Sequence, residues 1–107
     1  MTFFKIVDVI NGDIKTLYHG NNKCRKLQPK KWLKSQQKIV KDHMRQEGYI
    51  SGWHLFSNYD ECLKYLRYFK RLEHKKIVKC QAKDVWQKPC QRAQVFLAKE
   101  IYIEEFI

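Results

Sequence analysis

No stretch of the 107-residue chain approaches the roughly 20 apolar residues that a membrane-spanning helix needs. The N-terminal segment Met1-Thr2-Phe3-Phe4-Lys5 lacks the long apolar run and small-residue cleavage site of an export leader. These two absences predict a protein that stays in the cytoplasm and has no membrane partner. The chain also lacks a C-x-x-C pair. Cys24, Cys62, Cys80 and Cys90 are irregularly spaced, and without export they read as reduced, mostly buried thiols rather than a disulfide framework. His19-x4-Cys24 and Cys80-x9-Cys90 fit none of the familiar zinc ribbons or fingers, so no metal is expected. There is no internal repeat, low-complexity tract or interdomain linker, and a chain of this length holds one hydrophobic core. Residues 1–107 therefore read as a single domain.

Acidic residues are the scarce charge. Eleven Asp and Glu against 22 Lys and Arg leave a net charge of +11, a positive field over much of so small a surface. Polyanions are its natural partners, nucleic acid first among them. With 44% hydrophobic and 14% aromatic residues spread along its length, the chain is too apolar for a disordered tail.

Residues 3–10, Phe-Phe-Lys-Ile-Val-Asp-Val-Ile, are rich in β-branched and aromatic side chains and run into Asn11-Gly12, a strong hairpin signal. The returning strand is Ile14 to His19, broken by Gly20-Asn21-Asn22. From Pro29 to about Gln46, Trp32, Leu33, Ile39, Val40 and Met44 recur at helical spacing, which predicts an amphipathic helix stopped by Gly48. Tyr49 to Phe56 reads as a short strand broken by Gly52. Ser57 with Asp60 resembles a capping box, and the helix it opens turns Tyr59, Cys62, Leu63, Leu66 and Phe69 inward. Lys76 to Trp86 and Gln94 to Phe106 read as strands, parted by a basic loop containing Pro89. The expected class is α+β: a small mixed or mainly antiparallel sheet, its central strands Ile14 to His19, Lys76 to Trp86 and Gln94 to Phe106, covered by two amphipathic helices.

Three polar residues stand out in this order: His19 in Tyr18-His19-Gly20, His54 in Gly52-Trp53-His54-Leu55-Phe56, and Glu100 in Lys99-Glu100-Ile101. The three segments resemble the motifs of ADP-ribosyltransferases of the diphtheria-toxin and poly-ADP-ribose polymerase type, with Ile77 to Ala82 in the place of a core strand. The resemblance implies an ADP-ribosyltransferase-like fold, NAD as cofactor, and cleavage of the nicotinamide–ribose bond through an oxocarbenium-like state. His19 would orient a ribose hydroxyl, His54 would flank the nicotinamide in place of the family's tyrosine, and Glu100 would stabilise developing positive charge. Gly20 and Gly52 would line the cofactor site, and Arg25 or Arg92 would meet the pyrophosphate.

The chain also resembles a set of small phage-encoded proteins through His19-Gly20, Lys31-Trp32, Ser51-Gly52-Trp53-His54, Lys88 to Arg92, and Val95-Phe96-Leu97-Ala98. That resemblance implies a viral accessory origin and supplies no reaction. Beside the enzyme stands a different class, a basic module contacting phosphates through Lys30, Lys31, Lys75, Lys76, Lys88 and Arg92, with Trp53, Tyr65, Tyr68 or Trp86 stacking on bases where exposed. A third reading is a viral protein that binds and disables a host protein through a shaped surface.

Overall fold

Asn11 and Gly12 make the first decision of the fold. In the computed structural model both have positive φ, 53° and 82°, and Ile10 pairs directly with Asp13. This two-residue turn has the hand that suits the twist of its flanking strands, β1 (Thr2–Ile10) and β2 (Asp13–Lys15). The structure describes residues 2–16, 26–35, 39–41, 48–50, 52–68, 72–87 and 95–107, with only the backbone of 39–41 and 48–49.

Along the chain follow β3 (Lys26–Leu27), β4 (Trp32–Lys34), β5 (Ile39–Lys41), β6 (Gly48–Ile50), β7 (Trp53–Phe56), α1 (Tyr59–Leu66), a 3-10 turn at Leu72–His74, β8 (Lys75–Gln87) and β9 (Val95–Phe106). Four strands close a ring in which every pairing is antiparallel: β1 on β8, β8 on β9, β9 on β7, and β7 back on β1 through Phe4 and Phe56. The edge of β1 that meets β7 at Phe4 carries β2 and then β3 further along, while β9, past the end of β7, carries β4. β5 and β6 form a separate two-stranded ribbon.

Alternation along the ring strands supplies two apolar layers. Phe3, Val7, Trp53, Leu55, Val78, Cys80, Ile101 and Ile103 join Ile14, Leu27 and Leu33 in the larger core. The opposite faces of β1, β7 and β8 give Ile6, Phe56 and Ile77, which pack with Val95 at the start of β9 and Cys62 of α1. The helix is thus a lid over one side of the barrel. Asn58 caps it, its side chain accepting from the Glu61 N–H at 3.2 Å, one residue past the Ser57 expected for that role.

The expected two-helix α+β architecture, and with it the ADP-ribosyltransferase-like fold, is overturned: among the described residues the protein is a small closed β-barrel with one α-helix. The helix expected from Pro29 to Gln46 is where the readings part. Lys30 stands at φ 61°, outside helical backbone, and its N–H bonds to the Ile103 carbonyl. Leu33 is buried between exposed Trp32 and Lys34, a period of two, and Ile39–Lys41 pairs with β6. A distant partner, β9, captured Trp32–Lys34, and a local one, β6, captured Ile39–Lys41, residues whose spacing also suits a helix but whose β-branched Ile39 and Val40 readily allow a strand. Of the strand expected from Ile14 to His19, β2 accounts for the part to Lys15, and residues 17–19 lie outside the described residues. It is also peripheral, since β1 and β7 complete the ring with β8 and β9. The strands expected at Lys76 to Trp86 and Gln94 to Phe106 are present as β8 and β9.

Candidate nucleic-acid interface

β4, β9 and β8 lie side by side in one register. Trp32 faces Tyr102, which faces Gln81; Leu33, Ile101 and Ala82 form the next row, and Lys34, Glu100 and Lys83 the third. Directly paired residues of antiparallel strands share a face, and successive residues alternate. The middle row points into the core, where Ile101 is fully buried. Trp32, Tyr102, Gln81, Lys34, Glu100 and Lys83 therefore share the outer face.

On that face the Lys83 ammonium sits 4.0 Å from the centre of the Trp32 ring. The Trp32 and Tyr102 rings lie 5.5 Å apart, tilted by 50°. Trp32 keeps 38% of its surface in solvent. Exposed Lys30 and Lys31 stand in the turn leading into β4, and exposed Lys34 closes the strand. One carboxylate, Glu100, lies between Lys34 and Lys83 in the register. Glu104 lies further along β9, accepting from Gln81 Nε2 at 2.5 Å and facing Lys79 at 3.8 Å.

The strand carrying Trp32 is held firmly. Lys30 N–H donates to the Ile103 carbonyl at 2.9 Å, and the Ser35 N–H and hydroxyl both donate to the Lys99 carbonyl, at 2.8 and 2.9 Å. From the other side the buried Trp53 Nε1 donates to the Leu33 carbonyl at 2.9 Å. The ring is thus presented on a fixed backbone rather than on a free loop.

Of the residues expected to carry catalysis, His54 and Glu100 fall within the described residues. His54 is exposed on β7 opposite Leu97, and Glu100 lies three residues further along β9, about 10 Å at the rise of a strand. His19, Gly20, Arg25, Lys88 and Arg92 lie outside the described residues. Gly52 has a steric reason of its own: a Cβ there would meet the Ala98 carbonyl oxygen at 2.7 Å and the Trp86 ring at 3.0 Å. Of the expected phosphate contacts, Lys30, Lys31 and Lys76 are exposed. Lys75 is turned inward, its ammonium 2.6 Å from Asp8 with both side chains nearly buried. Among the aromatics first considered for stacking, Trp53 is buried, Trp86 and Tyr65 are half-buried, and Tyr68 is exposed.

Trp32, Lys34, Lys83 and Tyr102 are the residues the sequence reading missed for this surface. A signal for Tyr102 was present, because the alternation through Val95, Leu97, Ile101 and Ile103 leaves it facing outward. For Trp32 the signal was only the three-residue alternation Trp32-Leu33-Lys34, too short to outweigh the helical spacing around it.

A second polar feature is internal. Lys5 shares the inner face of β1 with Phe3 and Val7, and its ammonium donates to the His54 carbonyl at 3.1 Å beneath the Trp53 ring. Burial pushes its pKa down from 10.5 to about 8, while Cys80 and Cys62 oppose the change. Burial pushes the Cys62 and Cys80 thiols up to about 12, leaving them neutral and unreactive at ordinary pH. Among the described residues, no group of three His, Cys, Asp or Glu side chains is placed to hold a metal ion, and no helix is long and apolar enough to cross a membrane.

No family model, curated protein or solved structure matches the chain. The class defined by the described residues is therefore architectural, a small antiparallel β-barrel with an α-helix packed on one side.

Proposed function

We propose that the protein is a non-enzymatic nucleic-acid-binding module whose contact surface is the outer face of β4, β9 and β8. The observation that carries this reading is the Lys83 ammonium stacked on the partly exposed Trp32 ring beside Tyr102. Lys30, Lys31 and Lys34 extend the positive charge from that ring along β4 and its approach. Phosphate neutralisation by lysine supplies affinity without demanding a particular sequence, and aromatic rings add a sequence-tolerant contact to bases. The net charge of +11 favours encounter with any polyanion, whereas the aromatic component selects for nucleic acid.

Salt titration of oligonucleotide binding is the test. Affinity is expected to fall linearly on a log–log plot, and each phosphate contact removed should reduce the slope by about 0.7–0.9. The double variant Lys34→Ala/Lys83→Ala should lower the slope by more than Lys64→Ala, a control on α1 whose lysine faces Glu61. Failure to bind RNA or DNA at about 50 mM salt overturns the reading.

A further inference from the structure

We infer that the ligand of this surface is a single strand, RNA or DNA, with one unstacked base laid on Trp32 in the place now held by the Lys83 ammonium. The inference rests on the nucleic-acid reading and specifies its ligand. Lys83 stands 4.0 Å from the Trp32 ring centre, close to the separation at which a flat base would lie on the indole. Tyr102, 5.5 Å away and tilted by 50°, flanks the indole with a second ring and leaves the Lys83 side as the place for a base. An ammonium over an exposed ring is held weakly, and base–aromatic stacking is the stronger contact, so the exchange is favourable. The displaced cation is not stranded. It stands on a long flexible side chain beside the incoming strand, where the nearest phosphate replaces the ring as its partner.

A duplex cannot make this exchange. Its base faces are already stacked on one another, and it offers the protein only groove edges and phosphates. Lys30, Lys31, Lys34 and Lys83 would still attract a duplex, but Trp32 would add nothing. The rigidity of the platform favours the same ligand. The Leu33 carbonyl is held by Trp53 and the Lys99 carbonyl by Ser35, so the indole is positioned before the strand arrives and little order must be imposed on binding.

The experiment measures fluorescence anisotropy of the full chain with labelled oligomers of about 15 nucleotides, near the upper site size of one small barrel. Single-stranded DNA, single-stranded RNA and the corresponding DNA duplex are compared. Both single strands, or one of them, should bind about tenfold tighter than the duplex, and the tighter of the two identifies the sugar that the surface accepts. Trp32→Ala should remove most of that preference while leaving duplex binding within about twofold, and Trp32→Phe should restore part of it. Lys83→Ala, which uncovers the ring and removes one cation, should weaken duplex binding more than single-strand binding. This variant keeps β4 intact and decides the question even if Trp32→Ala fails to fold. Equal binding of strands and duplex with no effect of Trp32 overturns the inference and leaves the nucleic-acid reading standing. Absence of binding to all three overturns both.

Discussion

The indole nitrogen of Trp53 donates a buried hydrogen bond to the carbonyl oxygen of Leu33 at 2.9 Å. Two strands that are neighbours along β9 but not paired with each other are joined by this contact: β7 leaves β9 at Ala98, and β4 takes up the same edge at Glu100. The bond also ties the candidate binding strand to the closed ring.

Replacing Trp53 by Phe keeps an aromatic ring in the core and removes the donor, leaving the Leu33 carbonyl without it. A loss of about 1–3 kcal/mol of stability is expected, read from the midpoint of a urea unfolding curve at unchanged slope. Oligonucleotide binding should weaken in the same variant although Trp53 is buried, because β4 loses one of its anchors.

Lys5 makes stability depend on alkaline pH. Its folded pKa, about 8, lies below the usual 10.5, so between these values the unfolded chain holds more protons at this site and stability rises with pH. The gain begins as pH passes about 8 and is complete near 10.5, in total roughly 3 kcal/mol at about 1.4 kcal/mol per pH unit. Cys62 and Cys80 act the other way above about pH 9, because the unfolded chain loses those protons first. Comparison with Lys5→Met isolates the lysine, since both proteins carry the thiols. The wild type should gain on the variant by about 1 kcal/mol between pH 7 and pH 9. A constant difference across that range would show that Lys5 is not a buried charge.

Glu100 lies in register between Lys34 and Lys83. On a phosphate-binding face its carboxylate repels the ligand, so Glu100→Gln should tighten oligonucleotide binding by a factor of about 3, the Coulomb effect of one charge at several ångströms in water. An unchanged or weakened affinity would place Glu100 outside the contact surface. In a transferase the same substitution would instead abolish label transfer from NAD.

The readings that held depended on local chemistry. Asn11-Gly12 predicted its hairpin because few residue pairs accept positive φ at both positions. β8 and β9 were legible because Lys76 to Trp86 begins β-branched and Gln94 to Phe106 alternates for most of its length. The helix after Ser57 was legible from its apolar stripe, with its start misplaced by one residue because Asn58 offers an equally good cap. The close approach of Gly52 to Ala98 and Trp86 was not legible, because it joins segments more than thirty residues apart.

The sequence by itself determined the charge excess, the first hairpin, the two long strands and the helix, because each follows from side-chain chemistry within a few neighbouring residues. Tertiary structure alone decided that Trp32 to Lys34 is a strand. Its three residues are too few to declare a period, and their partners, Glu100 to Tyr102, lie at the far end of the chain. That pairing reversed the role of Trp32, from the core face of an expected helix to the outer face of a sheet. It also placed the ring beside Tyr102 and under Lys83, residues whose distance along the chain hides their contact. The candidate interface exists through long-range register, which local propensity does not encode.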